Sequence, residues 1–143
     1  MSKVSYQRIS DFERFEENPS LKDLQFIDEV VDEDAVVEKV YNKDTAKFTK
    51  IFEPAHSNLQ LLSNAGLRVL VYFFSVMKPN KDTVIFSISD CKKYTGYTSN
   101  VNVYRGLGEL LNKQFLFRIK DVDTMFFLNV NYFFNGRREK LFV

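Results

Sequence analysis

Residues 87–113 read SISDCKKYTGYTSNVNVYRGLGELLNK and carry the signals for two helices joined by a short turn. Ser87 is a favourable N-cap residue, because its hydroxyl can accept a hydrogen bond from a free backbone N–H of the first helical turn. Gly96 ends this first helix, and Ser99 is positioned to cap a second one. The predicted helices span 87–95 and 99–113.

The sequence on either side of this pair extends the pattern. After Pro54, apolar residues recur at three- and four-residue spacing, which is typical of amphipathic helices. Around the pair we predict helices at 56–62 and 64–77, a strand at 83–86, and strands at 115–120 and 125–130. This is the element order of a winged helix-turn-helix domain. We therefore predict an α+β fold, with a winged helix-turn-helix DNA-binding domain over 54–143.

The charge of the chain divides near Pro54. Residues 1–53 hold 8 Lys and Arg against 13 Asp and Glu, whereas residues 54–143 hold 12 against 6. A basic segment behind an acidic one is common in proteins that bind polyanions. The division favours a polyanionic partner for the C-terminal part of the chain.

The acidic part of the chain has two predicted segments. Residues 1–23 are polar and show almost no periodic apolar face, so we expect an acidic, flexible leader. Residues 24–53 are rich in β-branched residues and predict a β-rich segment that packs on the core or extends it. Within it we predict a hairpin over 26–41 and a further strand over 47–52.

The chain holds one cysteine, Cys91, and one histidine, His56. A lone cysteine cannot form an intramolecular disulfide, and we expect a plain buried or half-buried thiol. A nicking initiator would need a metal-binding pair of histidines beside a nucleophilic tyrosine. The five glycines do not fall at the spacing of a phosphate-cradling or dinucleotide-binding loop. We therefore expect no enzyme activity, no metal, no cofactor and no small-molecule substrate.

The longest apolar run, over 69–74, is too short to cross a bilayer, and the N-terminal stretch does not have the pattern of a secretory signal. We expect a cytoplasmic protein without a membrane partner.

The second helix of the pair is predicted to carry the function. Val103, Leu107, Leu110 and Leu111 form an apolar face, and the opposite face is polar. Asn pairs with adenine and Arg with guanine in the major groove, while a serine at a helix N-terminus suits a phosphate. The candidates for reading bases are Ser99, Asn100, Asn102 and Arg105, with Glu109 on the same predicted face.

A second set of basic residues is predicted to contact the DNA backbone. Asp121 and Asp123 at the tip of the predicted wing would repel phosphate, so we do not expect that tip to lie on the backbone. The candidates for backbone contacts are Lys92, Lys93, Lys113, Arg118, Lys120, Arg137 and Arg138.

Three positions do not follow the simple pattern. Gly106 and Gly108 lie inside a predicted helix, where each costs about 1 kcal/mol relative to alanine. Close approach of a DNA backbone, close approach of a partner helix, and tolerated drift remain open as explanations. Gln114 occupies the position where such domains often place a glycine between the recognition helix and the wing.

The sequence resembles the RepL family of plasmid replication proteins of Firmicutes and their phage relatives, over roughly 46–142. The resemblance lies in 48–52 and 61–70, in the turn and helix over 96–113, and in the ending FLNVNYFFNGR at 127–137. It implies a sequence-specific protein, in a bacterial cytoplasm, that binds double-stranded DNA and initiates or regulates replication, including plasmid copy control, or regulates transcription.

The alternative is a protein-interaction module, for example a phage structural or assembly protein built on a winged-helix core. The chain has fifteen phenylalanines, and those near the C-terminus exceed what we expect one small domain to bury. Such surplus aromatic surface would suit a homodimer, which we expect on DNA because one recognition helix reads only a few base pairs. The surplus candidates are Phe126, Phe127, Phe133, Phe134 and Phe142.

Overall fold

A computed structural model of the chain describes residues 8–23, 49–138 and 141, and within them the fold is α+β. The helices are α1 His56–Gln60, α2 Asn64–Val76, α3 Ile88–Thr95 and α4 Asn100–Asn112. The strands are β1 Arg14–Phe15, β2 Lys50–Ile51, β3 Thr83–Ile85, β4 Leu116–Ile119, β5 Val122–Leu128 and β6 Phe133–Phe134. Short 3-10 helices occur at Ile9–Asp11, Pro19–Asp23 and Glu53–Ala55. The hairpin predicted over 26–41 lies outside the described residues.

The four helices begin and end within two residues of the predicted bounds, and the capping serines explain why. Ser63 Oγ accepts from the Gly66 N–H at 3.2 Å, and Ser87 Oγ accepts from the Asp90 N–H at 3.3 Å. Gly96 ends α3 with φ of +83°, a conformation that side chains disfavour. Local capping chemistry therefore determines where these helices start and stop.

The main sheet has the strand order β1-β4-β5-β3. β4 and β5 form an antiparallel hairpin with its turn at 120–121. The predicted turn lies at 121–124, so β5 begins three residues earlier than predicted. β1 pairs in parallel with β4, with Arg14 opposite Arg118, so it covers the outer edge of that hairpin. A second, two-stranded sheet joins β2, part of the strand predicted over 47–52, to β6, which the sequence pattern did not predict.

Residues 8–23 pack on this sheet through polar anchors. Asn18 and Ser20 are buried, and Asn18 Nδ2 donates to the Leu128 carbonyl at 2.6 Å. Ser20 Oγ accepts from the Val130 N–H at 2.9 Å. The prediction of a flexible leader is therefore wrong for residues 8–23, because buried hydrogen bonds and the partly buried side chains of Ile9 and Phe12 hold this segment on the core.

The core lies between α2, α4 and the main sheet, and Gly106 allows two of these elements to approach closely. A Cβ placed on Gly106 would lie 2.5 Å from the Ala65 carbonyl oxygen and 2.7 Å from Val69 Cγ2 on α2. Of the explanations left open for this glycine, the structure supports close approach of a neighbouring helix. Gly108 is also buried in α4.

The C-terminal aromatic residues belong to the core of the single chain. Phe126, Phe127, Phe133 and Phe134 are all buried. The Phe133 ring lies 5.1 Å from that of Phe74 and 6.1 Å from that of Phe115, measured between centroids. The prediction that these aromatics exceed the capacity of one domain is wrong for these four residues, and Phe142 lies outside the described residues.

The ending over 135–137 folds around a turn at Asn80. The Arg137 N–H donates to Asn80 Oδ1 at 2.9 Å, and the Asn80 N–H donates to the Asn135 carbonyl at 2.7 Å. Gly136 between them has φ of +105°, and a side chain there would collide with that of Asn80. The asparagine-glycine-arginine sequence therefore serves a structural purpose in this fold.

In the part of the chain that the structure describes, every helix is too short or too polar to cross a membrane.

Candidate nucleic-acid interface

α4 buries one face and exposes the other. Val103, Leu107 and Leu110 are fully buried against the core, as predicted. The opposite face is centred on Val101 and Arg105, which lie one turn apart and are both exposed. Val101 is 62% exposed and Tyr104 beside it is 44% exposed. The exposed surface of α4 is therefore partly apolar, which the sequence analysis did not anticipate.

The four predicted base-reading residues do not share a single surface. Asn100 and Arg105 are exposed, whereas Asn102 and Ser99 are half-buried. At 100° per residue, Asn100 and Asn102 point about 160° apart around the helix axis. Ser99 Oγ accepts from the Val101 N–H at 3.1 Å, so this hydroxyl caps α4. The exposed candidates for contact with a base are thus Asn100 and Arg105, which point about 140° apart on either side of Val101, with Asn102 at the margin.

Glu109 has a structural partner. Its Oε1 accepts a hydrogen bond from the Ser63 N–H at 2.5 Å, next to the first turn of α2. A carboxylate in this position stabilises the helix, because the N-terminus carries unsatisfied N–H groups and the positive end of the macrodipole. The prediction that Glu109 belongs to the polar reading face is wrong, since its carboxylate joins α4 to α2.

The two lysines of α3 occupy its last turn. Lys93 is exposed and Lys92 is half-buried. Cations at a helix C-terminus are favoured by the macrodipole, so this position suits them even without a ligand. They lie in the last turn of α3, just before the Gly96 turn that leads into α4. Lys113, half-buried, follows the C-terminal end of α4.

The cations of the β4–β5 hairpin are engaged within the chain. The Arg118 side chain is 12% exposed, donates to the Phe12 carbonyl at 3.2 Å and lies 3.5 Å from Asp123. Arg14 also pairs with Asp123. Lys120 Nζ lies 2.7 Å from Glu16 Oε1. Arg118 is therefore wrongly assigned to the DNA backbone, and Lys120 has an acidic partner in the N-terminal segment.

Two arginines at the C-terminal end also have internal contacts. Arg138 places its guanidinium 3.9 Å from the centroid of the Phe52 ring and donates to the Val130 carbonyl at 3.3 Å. A guanidinium over an aromatic face is a favourable cation–π arrangement, so Arg138 packs the chain segments together. The Arg137 backbone is fixed by Asn80, as described above. The prediction that Arg138 contacts a DNA phosphate is therefore wrong, because its guanidinium packs on Phe52 and donates to the Val130 carbonyl.

Arg68 on α2 is a residue that the sequence analysis missed. Its Nη1 donates to the Thr95 carbonyl at 3.0 Å, and its guanidinium lies 5.3 Å from the centroid of the Tyr97 ring. Thr95 and Tyr97 flank Gly96, so Arg68 stabilises the turn that sets the angle between α3 and α4. The helical pattern of α2 shows only that Arg68 lies outside the apolar stripe. It does not indicate which residues Arg68 contacts.

Gln114 adopts the left-handed conformation that the position demands, with φ of +62°. The Gln114 N–H donates to the Leu111 carbonyl and the Phe115 N–H to the Leu110 carbonyl, which is the Schellman pattern at a helix end. Asn129 Nδ2 donates to the Gln114 carbonyl at 2.8 Å. A helix C-cap motif and this tertiary hydrogen bond therefore hold a non-glycine residue in the conformation that glycine prefers.

Cys91 is fully buried on α3, as expected for a plain thiol. Burial raises its pKa to about 11, because the thiolate would lose hydration in the core. A thiol that stays protonated at neutral pH is a poor nucleophile.

Comparisons with known proteins found no matching family model, no matching curated protein and no matching solved structure.

Proposed function

We propose that this chain is a sequence-specific protein of the winged helix-turn-helix class that binds double-stranded DNA. α3 and α4 form the helix pair, α4 is the recognition helix, and the β4–β5 hairpin is the wing. The observation that carries the proposal is the exposed N-terminal half of α4, which presents Asn100 and Arg105 next to the turn at Gly96. The resemblance to RepL-type proteins supports a role in plasmid or phage replication, or in transcription control.

The chemistry of this surface suits the major groove. An exposed asparagine amide can pair with both N6 and N7 of adenine, and an exposed guanidinium can pair with O6 and N7 of guanine. N-terminal residues of a recognition helix are the ones that contact base edges. Lys92 and Lys93, beside that end of α4, supply the attraction to phosphates that does not depend on sequence. Asn100 and Arg105 would then select the sequence.

The wing has a different role in this proposal. Its outer edge is paired with β1, and Glu16 and Asp123 neutralise much of the positive charge that the wing carries. A protein surface attracts phosphate where its cationic side chains outnumber its acidic ones. We therefore assign the DNA contacts to α3 and α4. In this proposal the hairpin packs in the core and stabilises the position of α4.

Binding to duplex DNA as a function of salt tests this proposal. Fluorescence anisotropy with a labelled random-sequence duplex should show affinity that falls steeply from 50 to 200 mM salt, because phosphate contacts release counterions. The double variant Lys92→Ala/Lys93→Ala should reduce both the affinity and the salt slope. Lys81→Ala removes an exposed cation outside the helix pair and is the matched control. Absence of binding by the unmodified protein at low salt would contradict the proposal.

A protein-interaction module is the second candidate, and one observation favours it. Leu61, Leu67 and Val71, in and beside α2, are exposed apolar side chains that the proposed DNA surface does not use. Exposed apolar groups of this kind suit an assembly contact. An interaction module would bind little DNA at any salt concentration, so the same titration separates the two candidates.

A further inference from the structure

The exposed apolar side chains of α4 have no role in the phosphate and hydrogen-bond contacts described so far. Val101 is 62% exposed and Tyr104 is 44% exposed, on the same surface as Arg105. Val101 lies in the first turn of α4, and Tyr104 lies one turn further along. Both residues lie off the core face of the helix, and packing within the chain leaves a large part of their apolar surface exposed.

The surroundings of this pair favour DNA over an apolar protein surface as the group that covers it. Asn100 and Arg105 flank Val101, and both are exposed. An apolar partner would remove the Asn100 amide and the charged Arg105 guanidinium from water, which is costly. The acidic residue of α4, Glu109, has its carboxylate on the Ser63 N–H. Lys92 and Lys93 lie at the adjoining end of α3. The exposed surface of α4 thus combines apolar side chains with hydrogen-bond donors and cations. The major-groove edge of DNA offers the matching groups, which are hydrogen-bond acceptors and the thymine methyl group.

We propose that Val101 and Tyr104 recognise the 5-methyl groups of thymine, so that the target of α4 contains thymine beside the bases read by Asn100 and Arg105. The thymine methyl is the apolar group that B-DNA presents on its major-groove edge. Val101 is β-branched and has few rotamers, so it loses little side-chain freedom when a methyl group packs against it. Tyr104 is exposed on the same surface and can contact a second methyl group. This inference rests on the proposed DNA binding.

Replacement of thymine by deoxyuridine tests the inference, because it removes the methyl group and leaves the hydrogen-bonding pattern intact. Duplexes are first selected from a random library with the unmodified protein. The selected sequences are then synthesised twice, once with thymine and once with deoxyuridine, and anisotropy titrations give both affinities. We expect the deoxyuridine set to bind about four- to fifteenfold more weakly, the effect of losing one or two buried methyl groups.

Variants separate this contact from general binding. Val101→Ala should bind the thymine set more weakly and should lose most of the difference between the two sets. Tyr104→Phe should keep the difference, whereas Tyr104→Ala should reduce it. Lys93→Ala is the control, since it should weaken binding to both sets equally. All three side chains are exposed, so each of the four variants should fold, which circular dichroism would check.

The outcomes also separate this inference from the proposed function. Equal affinity of the unmodified protein for the two sets, with steep salt dependence, would overturn thymine recognition and leave DNA binding intact. A Val101→Ala variant that keeps the full difference between the sets would remove Val101 from the contact. Failure to select any duplex at low salt would overturn both proposals together.

Discussion

Asn18 donates its side-chain amide to the Leu128 carbonyl at 2.6 Å, and this hydrogen bond joins residues that are 110 positions apart in the chain. The same side chain accepts from the N–H and the hydroxyl of Ser20, and Nδ2 lies 3.1 Å from Asp82 Oδ2. The N-terminal segment is thus held at the end of β5 by a buried polar network. Its stability depends on every member having a partner.

Asn18→Ala should therefore lower the free energy of unfolding by about 1–3 kcal/mol, because buried polar groups lose their partners. Deletion of residues 1–23 should also destabilise the protein. Urea denaturation measures both effects. Glu17→Ala changes the exposed neighbour and is the control, with an expected effect within about 0.5 kcal/mol. Equal stability of Asn18→Ala and the unmodified protein would show that the hydrogen bonds of Asn18 do not contribute to folding.

Gly106→Ala is expected to destabilise the protein although alanine has the better helix propensity. The gain of about 1 kcal/mol in propensity is outweighed by a Cβ forced against the Ala65 carbonyl, since overpacking costs about 1–3 kcal/mol and backbone cannot move aside cheaply. Chemical denaturation should show the loss. Asn112→Ala, at an exposed position of the same helix, should be neutral or stabilising. A more stable Gly106→Ala variant would contradict the close approach of α2 and α4.

The local elements were predictable because their signals are local. Ser63, Ser87 and Gly96 act on backbone groups within four residues, so a single sequence identifies the ends of the helices. The N-terminal anchors were not predictable, because a buried asparagine and a solvent-exposed one look alike until the partner is known. Arg118 shows the same limit, since the Phe12 carbonyl that it binds is 106 residues away.

The candidate site was predicted in part for the same reason. Helical periodicity correctly separates the core face of α4 from its outer face, and so identifies Arg105 as exposed. It does not show that Glu109 turns to the Ser63 N–H, nor that the valine and tyrosine of the outer face remain exposed. Such assignments depend on which elements pack beside the helix.

Base selection should depend on the two exposed polar residues of α4. Asn100→Ala and Arg105→Ala should each weaken binding to selected DNA by about 1–3 kcal/mol and relax the preference at one base pair. Asn102→Ala, at a half-buried margin, should have a smaller effect. Anisotropy with selected and random duplexes measures affinity and preference together. Unchanged preference in both of the first two variants would exclude α4 as the reading element.

Cys91 should make stability depend on alkaline pH. Its folded pKa is raised to about 11 by burial, above the value of an exposed thiol, so the folded state holds the proton more tightly. This contribution is complete below the unfolded pKa near 9 and is lost as the pH rises towards 11. Burial also raises the pKa of Tyr72, which adds to the loss above pH 10. Denaturation at pH 8, 9 and 10 should show a declining stability, and Cys91→Ala should have a flatter profile over this range.

The protein is expected to bind DNA as a homodimer, because one recognition helix reads too few base pairs for a specific site. Phe126, Phe127, Phe133 and Phe134 are buried and do not supply the contact. Leu67 and Val71 lie one turn apart on α2, are 47% and 39% exposed, and form the apolar stripe that two copies could share about a two-fold axis. Light scattering should give twice the 16.8 kDa of one chain.

The dimer contact can be tested separately from the dimer itself. Leu67→Asp/Val71→Asp should yield a monomer that protects one half-site in footprinting, where the unmodified protein protects an inverted repeat with half-sites about one helical turn apart. Ile85→Asp introduces one aspartate at an exposed apolar position on β3 and should remain dimeric. A double variant that stays dimeric would place the contact elsewhere. An unmodified protein that is monomeric and protects a single unrepeated site would refute the dimer and leave the DNA-binding proposal standing, because the exposed face of α4 does not depend on a second copy.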